Sequence, residues 1–545
     1  MDDSAAIMQV LNASAGACPR PIGPCRVPSP VTYAPAMTAP ATPPVRTPDP
    51  RALDAAVAAL TGEDLASIVD LVAYPVSAEG EPAVVVARHD GAVRLTADGA
   101  HDVLFGGDPV AHTDPLAFLP YEAEIAHPSP PNHANAYPDP GRRLLSFFAD
   151  PDRSPDIAVV HTPRHFFPET GGHRGEHGSL DVVQSRAPFL VSGAGVLPDG
   201  VVRDHARIVD VAPTLLHAAG VDVERHLDAS GMPLDGVARN DLVTGGAGRF
   251  VIGMLWDGAH CSDLLHLATT GELPGVARLL ERGVALAGGA VAEFPSVTLC
   301  NHTSLLTGVG PGRHGVLGNV YYDRELGRRV VPNDETTWHR SADWLRPGVA
   351  TVFETLAATL PGSRTACINE AVDRGADVST MALIRASTEL RGSGGLDAAM
   401  PPAESSAYLS DAGHLADRYF RWATRVDDAG LTQVQAAWAS VAEAPRLMWW
   451  SHVVTDAGHH AGGPRSTIAR DSFRDADRRL QAFLDHLDRL GVTDDVTFLL
   501  TADHGFESAD ESVTGTWAPA LESALAPLSI PHRDEGPGFI YLGAT

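Results

Sequence analysis

At the ends of two apolar runs, carboxylate and imidazole stand together. Asp456-Ala-Gly-His459-His460 follows RLMWWSHVV, Asp503-His504-Gly505 follows VTFLLTA, and a third run, RFVIGMLW, ends in Asp257-Gly258. Oxygen and nitrogen donors of this kind suit a borderline divalent cation such as zinc, and manganese and iron use them too. One Asp beside one His says little in a chain with 24 histidines, because Asp also starts turns. Three carboxylates at comparable strand ends make a pattern. Between them lies FPSVTLCNHTSLLTGVGPGRHGVLGN, residues 294–319. NHTSLLTG predicts a short helix stopped by Gly308, with Thr298 and Asn301 near its start. Free N–H groups and the positive dipole end of such a helix suit a phosphate. A hydroxyl there becomes a nucleophile if a metal ion lowers its pKa. The plainer alternative makes Ser296 or Thr298 an N-cap.

The elements that must position these residues follow from the same runs. With DIAVVH (156–161) and APFLVSG (187–193) they are short, continuously apolar, and interleaved with helical stretches such as LPGVARLLERG and DSFRDADRRLQAFLDHLDRLG. Apolar strands alternating with amphipathic helices predict an α/β fold whose largely parallel sheet is covered on both faces. Ligands of such sheets bind beyond the carboxyl ends of the strands, where the three aspartates stand. Elsewhere, ALDAAVAALTGEDLASIVDLVAY predicts a helix, and PAVVVAR-HDG-AVRLT predicts a hairpin turning at Asp-Gly. Residues 105–155 look loop-like, 1–52 form a Pro- and Ala-rich arm expected to be disordered or loosely packed, and 243–249 (VTGGAGR) is a glycine-rich joint.

Composition removes several classes of function. Of 545 residues, 40 are Lys or Arg and 68 Asp or Glu, giving a net charge of −28, and no lysine occurs at all. A catalytic lysine, a Schiff base and a Walker-type phosphate loop are therefore excluded. So acidic a chain is not expected to bind nucleic acid polymers. No run reaches 18 apolar residues, so no membrane partner is expected. With no basic residue before Arg20, the start lacks the positive region of a secretory signal, and the expectation is a cytoplasmic protein with five reduced cysteines.

The central motifs resemble the alkaline phosphatase superfamily, most closely its nucleotide pyrophosphatase/phosphodiesterase branch. The matching residues are Asp257-Gly258, Thr298-Leu-Cys-Asn301-His302, Leu306-Thr307-Gly308, His314-Gly315, Asp456…His460…Gly463-Pro464 and Thr501-Ala-Asp503-His504-Gly505. In that family a His-Gly downstream of Asp-His-Gly completes a second metal site. Here its counterpart stands upstream, where His177-Gly178-Ser179 precedes a DVAPTLLHAAGV stretch resembling the family's C-terminal segment. The resemblance therefore implies an alkaline-phosphatase-like three-layer α/β/α core with a mostly parallel sheet, circularly permuted. Residues 53–242 would be the family's C-terminal part and 250–545 its N-terminal and central part, joined through 243–249 into one catalytic domain. His173 competes with His177 for the ligand role, and a partner chain could supply His177 in trans.

The resemblance also implies the chemistry. Asp257, Thr298, Asp503 and His504 would hold one divalent ion, and Asp456, His460 and His177 the other. Zinc is the first expectation, with manganese or iron as alternatives. Thr298 would attack phosphorus and Asn301 would donate to a phosphoryl oxygen. Leu299 stands where phosphodiesterases often carry an aromatic that stacks on a nucleobase, so the implied substrate contacts are Asn301, Leu299 and Tyr322, with Tyr321 or Tyr322 compensating for the missing aromatic. The sulfatase pattern is absent, since Cys300 is out of register. The expected partner is a small-molecule phosphate ester, cleaved by a phosphodiesterase of pyrophosphatase type. A phosphomonoesterase, a phosphotransferase or phosphomutase, and a metal-binding scaffold without activity are the alternatives.

Overall fold

Every residue of the Phe250–Trp256, Leu447–His452 and Val496–Thr501 strands is buried, on both alternating faces, so helices must cover both sides of their sheet. The computed structural model describes residues 48–126, 136–162, 173–223, 232–334, 336–391, 418–509, 517–536 and 538–543. Its eight-stranded sheet runs Val378–Ser379, Thr365–Ile368, Leu447–His452, Phe250–Trp256, Val496–Thr501, Phe189–Gly193, Gly283–Leu286 and Gly200–Val202. All neighbours pair in parallel except at Phe189–Gly193, which is antiparallel to both of its partners. The expected α/β architecture with a mostly parallel sheet is thus present. The 187–193 run, expected to follow its neighbours, runs against them, because a short apolar run encodes burial but not direction.

Ile252 at the centre pairs with Met448 on one side and Phe498 on the other. That register brings the carboxyl ends of three strands to one edge and places Asp257 and Asp503 there. Asp456 arrives in the first turn of the following helix, Val454–Gly462. The long amphipathic helix Thr467–Leu490 turns Phe473, Leu480, Phe483, Leu484 and Leu487 to the core and is capped by Ser466, whose side chain accepts from Ala469 N. Gly491 ends it in the left-handed region at φ 70°.

A second sheet, antiparallel throughout, has seven strands in the order His532–Glu535, Phe539–Leu542, Ile157–His161, Val69–Ala78, Glu81–Arg88, Gly91–Thr96 and His101–Gly106. Here lie two corrections. The 156–161 run belongs to this sheet, not to the parallel one. The predicted helix over 52–74 is half right: helix Pro50–Leu60 gives way to the Val69–Ala78 strand, where the β-branched and alternating pattern of VDLVAYPV wins. The predicted hairpin forms, with Arg88 opposite Gly91. One face of this sheet packs on Phe294, Leu317, Tyr321 and Tyr322; the other packs on helices Pro50–Leu60 and Trp517–Leu525.

The arm predicted for 1–52 falls outside the described residues up to 47, and its boundary shifts, since the helix already starts at Pro50 behind the Asp49 cap. The 105–155 stretch is not all loop: it holds helices Tyr121–Ala126 and Pro140–Phe147. Residues 243–249 lead directly into the central strand, after a bridge between Val196 and Val243. Cys261, Cys300 and Cys367 are buried free thiols, and Cys18 and Cys25 lie outside the described residues. No helix among the described residues is long and apolar enough to cross a membrane.

Gly253, in the middle of the central strand, sits beneath the indole of Trp449, its partner on the next strand. A Cβ there would come within 2.3 Å of Trp449 Cε3. Gly253→Ala is therefore expected to destabilise the fold by about 1–3 kcal/mol through overpacking, read as a lowered urea midpoint.

Candidate metal centre

Asp257, Asp456 and Asp503 converge beyond the carboxyl ends of the parallel strands, at most 4% exposed. Short hydrogen bonds hold the loops that carry them. Gly258 N–H donates to Asp503 Oδ1 (2.9 Å), and Thr455 Oγ1 donates to the Asp257 carbonyl (2.6 Å). Gly258 has φ +60°, and a Cβ on it would meet the Phe506 ring at 2.4 Å, so glycine is required.

The imidazoles are fixed in one tautomer. His177 Nδ1–H donates to Ser296 O (2.9 Å), His504 Nδ1–H to Gly505 O (3.0 Å) and His460 Nδ1–H to Gly175 O (3.0 Å). Each therefore turns Nε2 toward the carboxylates, the orientation of a metal-ligating histidine. His504 Nε2 lies 3.1 Å from Asp503 Oδ2 and 3.9 Å from Asp257 Oδ1. His460 Nε2 and His177 Nε2 lie 3.4 and 3.9 Å from Asp456 Oδ1. Asp257 Oδ1, Asp456 Oδ1, Asp503 Oδ2 and His504 Nε2 are nevertheless buried without a hydrogen-bond partner. Two groups, Asp257/Asp503/His504 and His177/Asp456/His504, each gather their ligand atoms within 4.8 Å. Orphaned donor atoms that face one another at such distances fit divalent cations.

Electrostatics describe the same crowding. Burial, and then Asp503 and Asp456, push the Asp257 carboxyl up to about 8. Against burial, His504 and His302 hold Asp503 well below the usual carboxylate range, and His460 and His177 hold Asp456 down. Burial and neighbouring His504 push His177 down to about 3, whereas Asp456 and Glu176 overcome burial and raise His460 to about 10. In the absence of a cation, one of the three carboxylates keeps a proton.

Thr298 opens the Thr298–Thr307 helix and lines, with Asp257, a cavity of about 770 Å³. The helix has no side-chain cap. Ser296 instead joins the two halves of the chain, donating through Oγ to Ser179 O (2.7 Å) and accepting from Gly178 N (3.1 Å). The N-cap alternative for Ser296 and Thr298 thus falls. Between the adjacent histidines, His460 faces the carboxylates while His459 is buried with Nδ1 on Thr455 O (2.6 Å). His173 is 41% exposed and pairs with Glu176 at 2.6 Å, outside both groups that hold the aspartates.

Three expected substrate contacts need correcting. Asn301 is fully buried: its Nδ2 donates to Pro295 O and Val297 O (3.0 Å each), and its Oδ1 accepts from Glu293 N (2.7 Å). One turn into the helix, its side chain folds back to brace the preceding loop. Leu299 is fully buried in the main core. Tyr322 packs against the second sheet, edge-on to Tyr541 at 5.5 Å. Asn319, in contrast, lies near Thr298, its Oδ1 accepting from Leu299 N–H (3.1 Å) while the residue stays half-buried. The His-Gly-x-x-Gly-Asn spacing was the available signal for it.

Three further neighbours complete the surroundings, of which His302 stands in a sequence motif and Glu370 and Tyr419 do not. His302 Nε2 lies 3.6 Å from Asp257 Oδ2 and 3.5 Å from Asp503 Oδ2, while its Nδ1 meets Glu370 at 3.0 Å; both residues are fully buried. Glu370 also accepts from Trp449 Nε1 (3.1 Å) and Ser451 Oγ (2.8 Å). Tyr419 Oη donates to Asp456 Oδ2 (2.8 Å).

The sequence profile of the type I phosphodiesterase/nucleotide pyrophosphatase family matches residues 251–541. The chain belongs to this family. Strands Leu447–His452 and Val496–Thr501, all of Phe250–Trp256 but its first residue, and the three aspartates fall inside the matched region, and His177 lies outside it. Among curated proteins, alkaline phosphatase PafA of Elizabethkingia meningoseptica is 35% identical over 89 residues, 16% of each chain. Alkaline phosphatase PhoV of Synechococcus elongatus is 30% identical over 82 residues, 15% of each chain. The chain thus spans about a sixth of the length of these relatives. Murine ectonucleotide pyrophosphatase/phosphodiesterase 5 superposes with a TM-score of 0.32 at 17% identity, covering 47% of this chain and 57% of that one.

The bracing role of Asn301 is open to direct test. Asn301→Ala leaves the buried Glu293 N–H without its acceptor, and a loss of about 1–3 kcal/mol in urea unfolding is expected.

Proposed function

We propose that this family member is a metal-dependent hydrolase of phosphate esters, of phosphodiesterase or nucleotide pyrophosphatase type, acting through a phosphothreonine. The observation that carries the reading is the pair of carboxylate–imidazole groups with orphaned ligand atoms, one of whose residues, Asp257, lines a cavity together with Thr298. Asp257, Thr298, Asp503 and His504 would hold one divalent ion and Asp456, His460 and His177 the other; mixed oxygen and nitrogen donors favour zinc. When bound, such ions supply Lewis acidity that makes a hydroxyl or a water acidic near neutral pH and offsets phosphoryl charge.

The chain's own residues do the rest. Thr298 Oγ attacks phosphorus in line with the ester oxygen, which leaves as the alcohol, and the resulting phosphothreonine is hydrolysed by water. The unpaired N–H of Thr298 at the helix start and the carboxamide NH₂ of Asn319 donate to a phosphoryl oxygen as its charge grows. His302, braced by Glu370, keeps Asp257 and Asp503 oriented.

We also propose that the chain is a circular permutant of the family arrangement, with His177 supplied in cis. Supporting this, Phe189–Gly193 extends the same sheet beside Val496–Thr501, and His177 Nε2 faces Asp456 from the segment just before it.

Bis(4-nitrophenyl) phosphate and 4-nitrophenyl phosphate, with a chelator control, test the activity. Chelator-sensitive turnover favouring the diester is expected; a monoester preference moves the reading to a phosphatase, and phosphate passed to an added alcohol moves it to a phosphotransferase. Thr298→Ala is expected to lose turnover by at least about a thousandfold with metal content largely intact, since Asp257, Asp503 and His504 remain, and full activity would refute the nucleophile. His177→Ala should lose one of two metal equivalents by elemental analysis; retention of both would overturn the permuted ligand set.

A further inference from the structure

One wall of the cavity above Thr298 and Asp257 is a face of the Arg418–Ala437 helix. Arg418, Arg421, Trp422 and Arg425 line it, at spacings of three, four and seven residues that place them on one side of the helix. Next to them, Tyr419 donates its hydroxyl to Asp456 Oδ2 (2.8 Å), which pins the first turn of the helix to the metal centre and fixes how far the guanidinium face stands from the reacting phosphorus. The Tyr419 ring stacks on Trp422, centroids 5.7 Å apart at 16°, and Trp422 meets Trp338 of the opposite lining edge-on at 6.4 Å.

This concentration of positive charge runs against the rest of the molecule. The chain carries −28 and has only arginine as a strong cation, yet three arginines share one cavity. Among the described residues, the same lining carries two carboxylates, Asp257 of the metal centre and Asp334. A scissile phosphodiester carries a single charge, and the metal centre meets it. Nothing in that group calls for three more cations about two helical turns deep. A guanidinium presents five N–H donors in a planar fork, so each arginine can bind a carboxylate or phosphate while keeping a protein partner. The cavity, about 770 Å³, is also larger than a small phosphate ester needs.

We propose that the substrate carries a second anionic group, a carboxylate or a phosphate, beyond the scissile phosphorus, bound by the Arg418/Arg421/Arg425 face while a planar part of the molecule packs on Trp422 and Trp338. This subsite deepens the hydrolase reading and rests on it.

Two 4-nitrophenyl phosphodiesters that differ only in the second ester group, phenyl in one and 4-carboxyphenyl in the other, test it; a 4-phosphonophenyl analogue distinguishes a phosphate-like dianion from a carboxylate. The native protein is expected to favour a charged diester by about tenfold or more in kcat/KM. In Arg421→Gln, in Arg425→Gln and in the double variant that ratio is expected to fall toward one. The ratio is an internal control, since a poorly folded variant loses both activities together. Equal kcat/KM for all three diesters, or a ratio that survives the double variant, overturns the subsite. Binding separates this proposal from the hydrolase reading. In Thr298→Ala, quenching of the cavity tryptophans should occur at about tenfold lower concentration for the carboxylated diester than for the phenyl one. Preferential quenching without turnover by the native protein supports the subsite and overturns the hydrolase reading; turnover without preference does the reverse.

Discussion

Three carboxylates cannot share one buried pocket without positive charge beside them. Asp257, Asp456 and Asp503 are nearly or fully inaccessible and face one another across orphaned oxygens, and the surrounding structure is arranged around that problem. Four imidazoles close in on them, three fixed by backbone carbonyls and the fourth, His302, held from behind by Glu370. Each of these supports lies at the end of a strand or the start of a helix, where backbone groups are free to hold side chains. Burial makes the cluster sensitive: in low dielectric the same few ångströms that make like charges expensive make a bound cation effective.

The centre is assembled from segments far apart in the chain. His177 and Gly178 reach Ser296, two residues ahead of Thr298, through both main-chain and side-chain oxygens. Phe189–Gly193 joins the parallel sheet beside Val496–Thr501, and Ile157–His161 joins the antiparallel sheet between Val69–Ala78 and Phe539–Leu542. The two halves of the sequence therefore share both sheets, and they also meet at Ser296.

Much of this was legible before any coordinates. Continuous apolar runs marked the parallel strands because burial on both faces removes the polar alternation, and Gly308 marked a helix end because a left-handed residue was needed there. What failed to show has physical reasons. A five-residue apolar run such as 157–161 fits either sheet, and nothing local fixes its direction. Asn301 read as the donor in sequence; only the fold-back of its side chain onto Pro295 and Val297, and the bond of Asn319 to Leu299, show the different arrangement. Glu370 and Tyr419 carry no motif at all, since each acts through a contact made across the fold rather than along the chain.

The pairing of Ile157–Ala158 with Phe539–Ile540 has a consequence for how the molecule comes into being. Five strands of the antiparallel sheet lie before residue 162, but their neighbour on one side is made last. During synthesis from the amino end, the Ile157–His161 edge waits, apolar and with its backbone groups unmatched, for roughly tens of seconds at about 5–20 residues per second. An open edge of that kind is the part of a nascent β-sheet most prone to pair with the wrong strand. The newborn chain is thus most vulnerable at a place that the finished fold hides completely.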